Sequence, residues 1–375
     1  MTAGTSTPTV TATRRGRRGS GLARAPFLAL GGFAMLAGLD AALMLLGVPA
    51  PVTADRLPEV HGMLMVLGFV GTLVALERAV ALRRPAGFLA PGLLGAGGLL
   101  LVSPLPEPAG KLSLLLGAAA FAGVYVPLWR RQRDDAVLVQ ALGAVLATGA
   151  AALWLAGVSM PMLIPWLTGF VVLTIAGERL ELARIAMGAG AGTRLLLLSG
   201  GLVVAVAASL LWPAVGFPLL GFVLLVLVGW LVQHDIARRT IKTRGLTRFM
   251  AACMLAGYFW LGVAGAIWMI RGPTTGGPGY DAVVHAVFLG FTISMIIAHA
   301  PVILPAVLRR PLPYHPAMWL AAVLLHASLA VRLWLGDARQ LDGTRQVGGV
   351  LNEVALLGFL AVAAWFSARR AGGSR

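Results

Sequence analysis

The feature that most constrains the fold of this chain is a series of apolar runs of roughly 20 residues, separated by short polar or basic segments. An α-helix of that length spans the hydrocarbon core of a bilayer. Charged residues make up 12% of the chain, about half the share that is usual in soluble domains. The sequence therefore predicts an all-α polytopic membrane protein with a single twelve-helix domain, 25–368. The predicted spans are 25–48, 58–82, 87–104, 111–129, 136–157, 161–185, 194–212, 216–235, 247–270, 281–308, 315–335 and 346–368.

The basic residues are distributed unevenly along these spans. The net charge is +16, and most of the 30 basic residues lie in the N-terminal arm or at the ends of the even-numbered spans. Such a bias marks the cytoplasmic side of a membrane. It places both termini on the cytoplasmic side of a bacterial-type cytoplasmic membrane. Residues 1–24 are predicted to be a disordered basic cytoplasmic arm and 369–375 a cytoplasmic tail. No basic stretch is interleaved with stacking aromatic residues, so we expect membrane lipids and no nucleic acid as partners.

Three of the even-numbered spans share a short pattern. Gly68-Phe69 precedes Glu77-Arg78, and Gly169-Phe170 precedes Glu178-Arg179 at the same interval. Gly290-Phe291 precedes His299-Ala300 likewise. The spacing of the copies suits blocks of four helices, so the sequence predicts a pseudo-three-fold repeat. Chance recurrence of Gly-Phe in a glycine-rich chain is the alternative.

Four histidines lie inside apolar spans, where ionisable groups are costly and by default functional. His61 opens the second span and His285 the tenth, both near the outer end. Two imidazoles at matched depth on two helices could be the axial ligands of a haem. The alternative is that both are interfacial histidines hydrogen-bonded to loop carbonyls. His299 lies fourteen residues after His285 in the printed sequence, which on an ideal α-helix is an angular offset of about 40°, so both would face the same side.

A second pair, His299 and His326, is expected at one depth in the inner half of the membrane. Such a pair could hold a second haem or copper, relay protons, or form a hydrogen bond between helices. Four acids inside the spans could orient a ligand histidine or carry protons: Asp40, Glu77, Glu178 and Glu353. For Glu77 and Glu178 the sequence favours ion pairs with the neighbouring arginines. His234 and His315 lie at the cytoplasmic ends of the predicted spans 216–235 and 315–335, beside the loops, and are expected to be solvated.

The layout resembles the catalytic subunit of haem-copper oxidases, with twelve helices and histidines on helices 2 and 10. The stretch His285-Ala286-Val287-Phe288-Leu289-Gly290 more closely resembles the NnrS family, twelve-helix membrane proteins that contain haem and copper and are associated with nitric oxide stress. The typical His-x-His-Glu of that family is here Glu59-Val60-His61-Gly62, so one histidine is missing. Helix 6 lacks the His-Pro-Glu-x-x-Tyr motif of the oxidases and helix 7 lacks their histidines, so no oxygen-reducing binuclear centre is expected.

The resemblance implies a haem b protein, with copper or a second haem as a further cofactor, that handles nitric oxide or passes electrons to a redox partner or respiratory complex. A non-catalytic assembly role beside such a complex is compatible with the same sequence. The alternative from a different class is a proton-coupled small-solute transporter in which Asp40, Glu353, His299 and His326 carry the protons.

Overall fold

A computed structural model describes residues 23–308 and 312–372, and these residues form helices and short loops without a strand. Twelve helices are long and apolar enough to cross a membrane, so the chain is a multi-pass membrane protein. The twelve are α1 (Ala25–Leu46), α2 (Leu57–Leu82), α3 (Pro85–Val102), α4 (Glu107–Gln132), α5 (Asp135–Leu155), α6 (Met160–Ala183), α7 (Ala191–Leu211), α8 (Pro213–His234), α9 (Gly245–Arg271), α10 (Gly277–Val307), α11 (Met318–Asp337) and α12 (Asp342–Ala368).

The number of predicted spans is confirmed, and the helix ends differ from the predicted ones by a few residues. The helix that contains α6 continues to Met187 with a kink at Ala183, and the one that contains α12 continues to Gly372. The predicted tail therefore begins within a helix. The predicted N-terminal arm lies outside the described residues except for its last two.

Three helices form the centre of the bundle. The most apolar stretches of α2, α6 and α10 are 72%, 78% and 67% buried, whereas those of the other nine helices are at most 56% buried. These central helices carry the three Gly-Phe pairs noted in the sequence. Because these helices are buried, their inward-facing side chains are surrounded by protein rather than lipid. Polar groups on the three helices must therefore find partners within the bundle.

Parts of three helices are wound more widely than an α-helix. Leu64–Gly71 in α2, Ala286–Ile293 in α10 and Val331–Asp337 in α11 are π-helical. The Thr292 hydroxyl donates to the carbonyl of Val287, five residues earlier, at 3.0 Å. Such turns are rare and frequently occur at functional sites. In α10 the π-helical segment is followed by an α-helix that contains Pro301 and Pro305.

One end of the bundle collects positive charge. Arg24, Arg83, Arg84 and Arg131 line a single surface pocket there. The Arg131 guanidinium donates to the carbonyl of Ala81 at 3.2 Å, which joins the ends of α4 and α2. We call this end the basic end.

Close packing of α5 on α6 depends on Gly143. A Cβ at this position would lie 2.9 Å from the Phe170 carbonyl oxygen and 3.0 Å from Thr174 Oγ1. We expect Gly143→Val to force the two helices apart and to destabilise the protein by about 1–3 kcal/mol, as overpacking typically does. The measurement is the thermal unfolding midpoint in detergent. Gly123→Val on α4 is the matched control, because a Cβ at Gly123 meets nothing within 4 Å. Equal midpoints for the two variants would contradict the prediction.

Candidate functional site

Three cavities follow one another through the bundle. The histidine cavity, about 440 Å³, is lined by residues of α1, α2, α6, α10, α11 and α12. The central cavity, about 350 Å³, shares Val70, Thr292 and Leu356 with it. The basic-end cavity, about 1050 Å³, shares a further set with the central one. That set contains Glu77, Glu178, Arg179, His299, Ile303 and Val307.

His61 and His285 both line the histidine cavity, as their matched depths predicted. The ring nitrogen Nδ1 of His61 lies 2.8 Å from the carbonyl oxygen of Gly38, and that of His285 lies 2.8 Å from the carbonyl oxygen of Asp281. With Nδ1–H donating in each ring, the lone pair of Nε2 is left to accept or to coordinate. Within the described part of the chain, the hydrogen bonds of both histidines are made through Nδ1, and neither Nε2 has a hydrogen-bond partner. The structure thus brings together two imidazoles whose orientation is fixed and whose second nitrogen is unused.

An ion pair fixes the position of the loop-side end of α10. Arg332 donates from Nε and Nη2 to the two carboxylate oxygens of Asp281 at 2.9 and 2.7 Å. The same carboxylate lies 3.3 Å from the Nδ1 of His285. The approach of α12 to α11 at this level requires a glycine, because a Cβ on Gly348 would lie 2.8 Å from the Cα of Arg332. Arg332 and Arg345 both reach the cavity wall together with the carboxyls of Glu59, Asp281 and Glu353, so the wall carries charges of both signs beside the histidines.

Glu353 also lines the histidine cavity and is 9% exposed. Its Oε1 is buried and has no hydrogen-bond partner among the described residues. The neighbouring Asn352 donates to Ser328 Oγ at 2.7 Å, which ties α12 to α11. Asp40 of α1 was predicted to orient a ligand histidine or to carry protons. Its carboxylate instead accepts the backbone N–H of Val52 at 3.1 Å and orders the loop after α1. Glu353 is therefore the acid of the predicted set that faces the two histidines.

His299 lies far from this cavity, in a network near the basic end. Its Nδ1–H donates to the Met295 carbonyl at 2.8 Å, and its Nε2 accepts from Arg179 Nη1 at 3.2 Å. Arg179 in turn donates to Asp235 through Nε and Nη2, at 2.8 and 3.0 Å, and the Tyr258 hydroxyl donates to Asp235 at 2.7 Å. Both nitrogens of His299 are occupied, so this imidazole is neutral and has no free lone pair for a metal.

His326 is held by a different set of partners. Its Nδ1 accepts from the indole N–H of Trp260 at 3.0 Å, and its Nε2 lies 3.2 Å from the hydroxyl of Ser294. The Ser294 hydroxyl donates to the Cys253 carbonyl at 2.7 Å, so it accepts from His326. The structure therefore does not bring His299 and His326 into one site; each has its own complete hydrogen-bond set.

Glu77 and Glu178 lie where α2 and α6 meet at the basic-end cavity. Arg78 pairs with Glu77 at 2.6 Å and with Glu181 at 3.0 Å, and lies 3.9 Å from Glu178. Glu77 thus forms the expected ion pair with its neighbour, whereas Arg179, the neighbour of Glu178, is bound by Asp235, and Glu178 lies nearest to Arg78 of the other helix. The two loop histidines are half-buried rather than solvated: His234 stacks on Trp230, and His315 stacks on Phe366.

Several residues of these sites escaped the sequence analysis. Arg332 and Asp281 lie in apolar helices and carry opposite charges, a signal that each needs a partner, but nothing in the sequence pairs them. Asp235 follows the last residue of α8 and looked like part of a solvated loop. Burial alone would raise the pKa of the Asp235 carboxyl, but the hydrogen bonds from Arg179, Ala237 and Tyr258 hold that pKa below its usual range.

The described residues contain no group of three or more His, Cys, Asp or Glu side chains placed to hold a metal ion.

The chain belongs to a protein family defined as a domain of unknown function (DUF8744), which it matches over residues 24–368. No curated protein matches the chain. No solved structure matches it.

The network around Asp235 gives a stability prediction. Asp235→Asn removes the charge that neutralises a buried guanidinium, and we expect a loss of about 3–5 kcal/mol in the free energy of unfolding. Because the folded-state pKa is lowered, the pair contributes stability above the ordinary carboxyl range, and that stability is lost only as the pH falls below this range. The measurement is the unfolding midpoint in detergent at neutral and acidic pH.

The matched control is Asp342→Asn. Asp342 pairs with Arg345 at 3.3 Å, but its side chain is 85% exposed, so its loss should cost about 0–1 kcal/mol. If Asp235→Asn is as mild as this surface variant, the Arg179–Asp235 pair does not stabilise the bundle.

Proposed function

We propose that this member of the DUF8744 family is a membrane-embedded b-type haem protein of NnrS-like type, with His61 and His285 as axial ligands in the histidine cavity. One observation carries the proposal. Two imidazoles on central helices reach one cavity, each anchored through Nδ1 to a carbonyl and each with an unused Nε2. Histidines that ligate a metal commonly have their other ring nitrogen fixed in this manner.

The rest of the cavity suits the same group. Most of the wall is apolar, which a planar macrocycle requires. Arg332 and Arg345 line the wall as well, with Arg332 held by both oxygens of Asp281 and Arg345 paired with Asp342. All three π-helical segments contribute to the wall, through Val66, Phe288 and Arg332 among others.

A haem bound there would supply one-electron transfer. The chain itself supplies three things: ligands of fixed tautomer, apolar walls that exclude water, and the Asp281–Arg332 pair that orients His285. His61 and His285 would together hold the haem iron, which would favour passing electrons over binding nitric oxide. Electron transfer with a redox partner, such as a respiratory complex, is therefore the role we propose first, and nitric oxide handling would require one imidazole to leave.

The second histidine pair is not part of this proposal. His299 and His326 have separate and complete sets of partners, so neither offers a free nitrogen to copper or to a second haem. A proton-coupled transporter that uses these two histidines would face the same difficulty, because Arg179 occupies one of them.

We further propose a bacterial-type cytoplasmic membrane as the location, with both termini on the cytoplasmic side. The gathering of Arg24, Arg83, Arg84 and Arg131 at the basic end supports this orientation. The proposal includes a pseudo-three-fold relation between the blocks of α1–α4, α5–α8 and α9–α12. It is supported by the central position of α2, α6 and α10, each carrying its Gly-Phe pair.

The haem proposal is tested by purifying the protein with haem supplied during expression. We expect a stoichiometric pyridine haemochrome of haem b and a reduced-minus-oxidised spectrum of a low-spin haem. His61→Ala and His285→Ala should each lose that spectrum. Asp281→Asn should weaken haem retention by roughly 10–100-fold, the usual effect of losing the partner of a ligand histidine.

His234→Ala is the matched control. Its Nδ1 lies 2.8 Å from a carbonyl four residues earlier, as in His285, but it lies outside the three cavities. It should keep the wild-type spectrum. Carbon monoxide should leave the reduced wild-type spectrum unchanged, and a shift would assign nitric oxide chemistry instead. A folded wild-type protein that takes up no haem would contradict the proposal.

The orientation is tested with single cysteines. Cys253 is buried, so Cys253→Ser gives a background for Asp55→Cys and Arg84→Cys, which replace exposed loop residues at opposite ends of α2. We expect an impermeant maleimide to label intact cells only through Asp55→Cys, and Arg84→Cys to react after the membrane is opened. The reverse pattern would place the termini outside.

A further inference from the structure

A second cluster of ionisable side chains lies at the wall between the central cavity and the basic-end cavity. Glu77, Glu178 and Arg179 line both cavities. The basic-end cavity extends to Thr240 and Thr247, at and beyond the helix ends. The cluster is therefore within reach of water at the basic end, and it lies at the entrance of the apolar central cavity.

The charges of this cluster do not balance. Three carboxylates surround one guanidinium, because Arg78 lies 2.6, 3.0 and 3.9 Å from Glu77, Glu181 and Glu178. The second guanidinium, Arg179, is already bound by both oxygens of Asp235. With every carboxyl ionised, the three acids around Arg78 would carry one negative charge each against a single positive charge. The side chains of Glu77, Glu178 and Glu181 are 24%, 16% and 33% exposed, and like charges that share a partly buried site repel one another, which favours protonation of the most buried.

Unused hydrogen-bonding capacity surrounds the same three acids. Glu178 Oε1 is buried without a partner among the described residues, as is Nε of Arg78. Gln140 is fully buried and donates to Glu181 at 3.1 Å, but its own Oε1 lacks a donor. Tyr125 is 2% exposed, and its hydroxyl, which interacts electrostatically with Arg78 and Glu178, has no partner within the described ranges. A carboxylate only accepts hydrogen bonds, whereas a protonated carboxyl supplies the donor that Gln140 Oε1 lacks.

The remaining titratable groups around the cluster are already committed. His299 is neutral, with both nitrogens hydrogen-bonded, and Tyr258 donates to Asp235. Among the side chains that the structure describes, the groups that face the cluster come from five helices and one loop: Glu77 and Arg78 of α2, Tyr125 of α4, Glu178, Arg179 and Glu181 of α6, Asp235 after α8, Tyr258 of α9 and His299 of α10. None of the committed groups can supply the positive charge that the three acids lack.

A metal ion is a poor candidate for that charge. Within residues 23–308 and 312–372 there is no cluster of three or more His, Cys, Asp or Glu side chains that could hold one. The three carboxylates surround a guanidinium instead of converging on an empty centre. A proton needs no coordination cage and can reside on one carboxyl oxygen.

We propose that Glu77, Glu178 and Glu181 together bind one exchangeable proton, taken up through the basic-end cavity and carried chiefly by Glu178. Binding converts one carboxylate to a carboxylic acid and leaves Arg78 shared between the other two. The site stands at the entrance of the central cavity, which adjoins the histidine cavity, so it is placed to admit protons from the basic end. It goes beyond the haem proposal and does not depend on a haem being bound.

The test is infrared difference spectroscopy of the purified protein, in H₂O and D₂O, across a pH titration. Glu353→Gln and Asp337→Asn form the background, so that the buried carboxyls of the opposite end do not contribute. We expect a carboxylic-acid carbonyl band at neutral pH that shifts in D₂O within the mixing time, because the basic-end cavity admits water. Glu178→Gln should remove the band. Glu181→Gln removes one of the competing negative charges. The carboxylic-acid band of that variant should therefore titrate at a lower pH than the band of the background protein.

Glu107→Gln is the matched control, since Glu107 forms an ion pair with Lys111 at 3.0 Å outside the cluster; it should leave the band unchanged. Each variant is checked for a wild-type helical circular-dichroism spectrum. If Glu178→Gln does not fold, Glu77→Gln and Glu181→Gln decide the matter through the pH at which the band titrates. No exchangeable band in the folded background protein, or a band unmoved by all three substitutions, would overturn the proposal. So would a sodium-dependent unfolding midpoint without a band, which would assign the charge to a cation.

Discussion

Inside a bilayer no water is available to solvate charge, so each ionisable side chain of this bundle must find its partner on another helix. The main tertiary contacts between polar groups follow from this constraint. Arg332 joins α11 to Asp281 at the start of α10, and Arg179 joins α6 to Asp235 after α8. Arg78 joins α2 to Glu181 of α6. These pairs fix how the three central helices lie against their neighbours, and the cavities are the spaces left between them.

The two ends of the bundle differ in which polar groups are paired and which are left without a partner, and their chemistry differs accordingly. At the histidine cavity the Arg332–Asp281 pair is complete, and the groups without a hydrogen-bond partner among the described residues include Nε2 of His61 and His285, Oε1 of Glu353 and Oδ1 of Asn352. At the basic-end cavity the nitrogens of His299 are used and the carboxylates outnumber the guanidinium they share. Unused nitrogen lone pairs suit a metal centre, whereas surplus carboxylates suit a proton. The proposed haem ligands and the proposed proton site therefore lie at opposite ends of the central cavity.

The sequence predicts the spans well because hydrophobic length is a local property that needs no knowledge of packing. It also predicts that His61 and His285 share a depth, since both open helices that run in the same direction. It could not predict the partners of His299 and His326. Arg179 and Trp260 lie on helices distant in sequence from α10 and α11, and only the packing of α6 and α9 brings them to these imidazoles. The angular relation between His285 and His299 was calculated for an ideal α-helix, but eight π-helical residues, Ala286–Ile293, lie between them.

The π-helical segments have a consequence for how such a chain tolerates insertions and deletions. One residue turns an α-helix by about 100°, so a segment that accommodates an additional residue sets the azimuth of everything beyond it. Deleting one residue between Leu64 and Gly71 while the rest of the segment keeps its winding would rotate His61 relative to Glu77 by somewhat less than the roughly 100° of an α-helical residue. The chain would still thread the membrane twelve times, with the imidazole turned away from its cavity. The length of these segments is thus as much a determinant of the site as the side chains themselves.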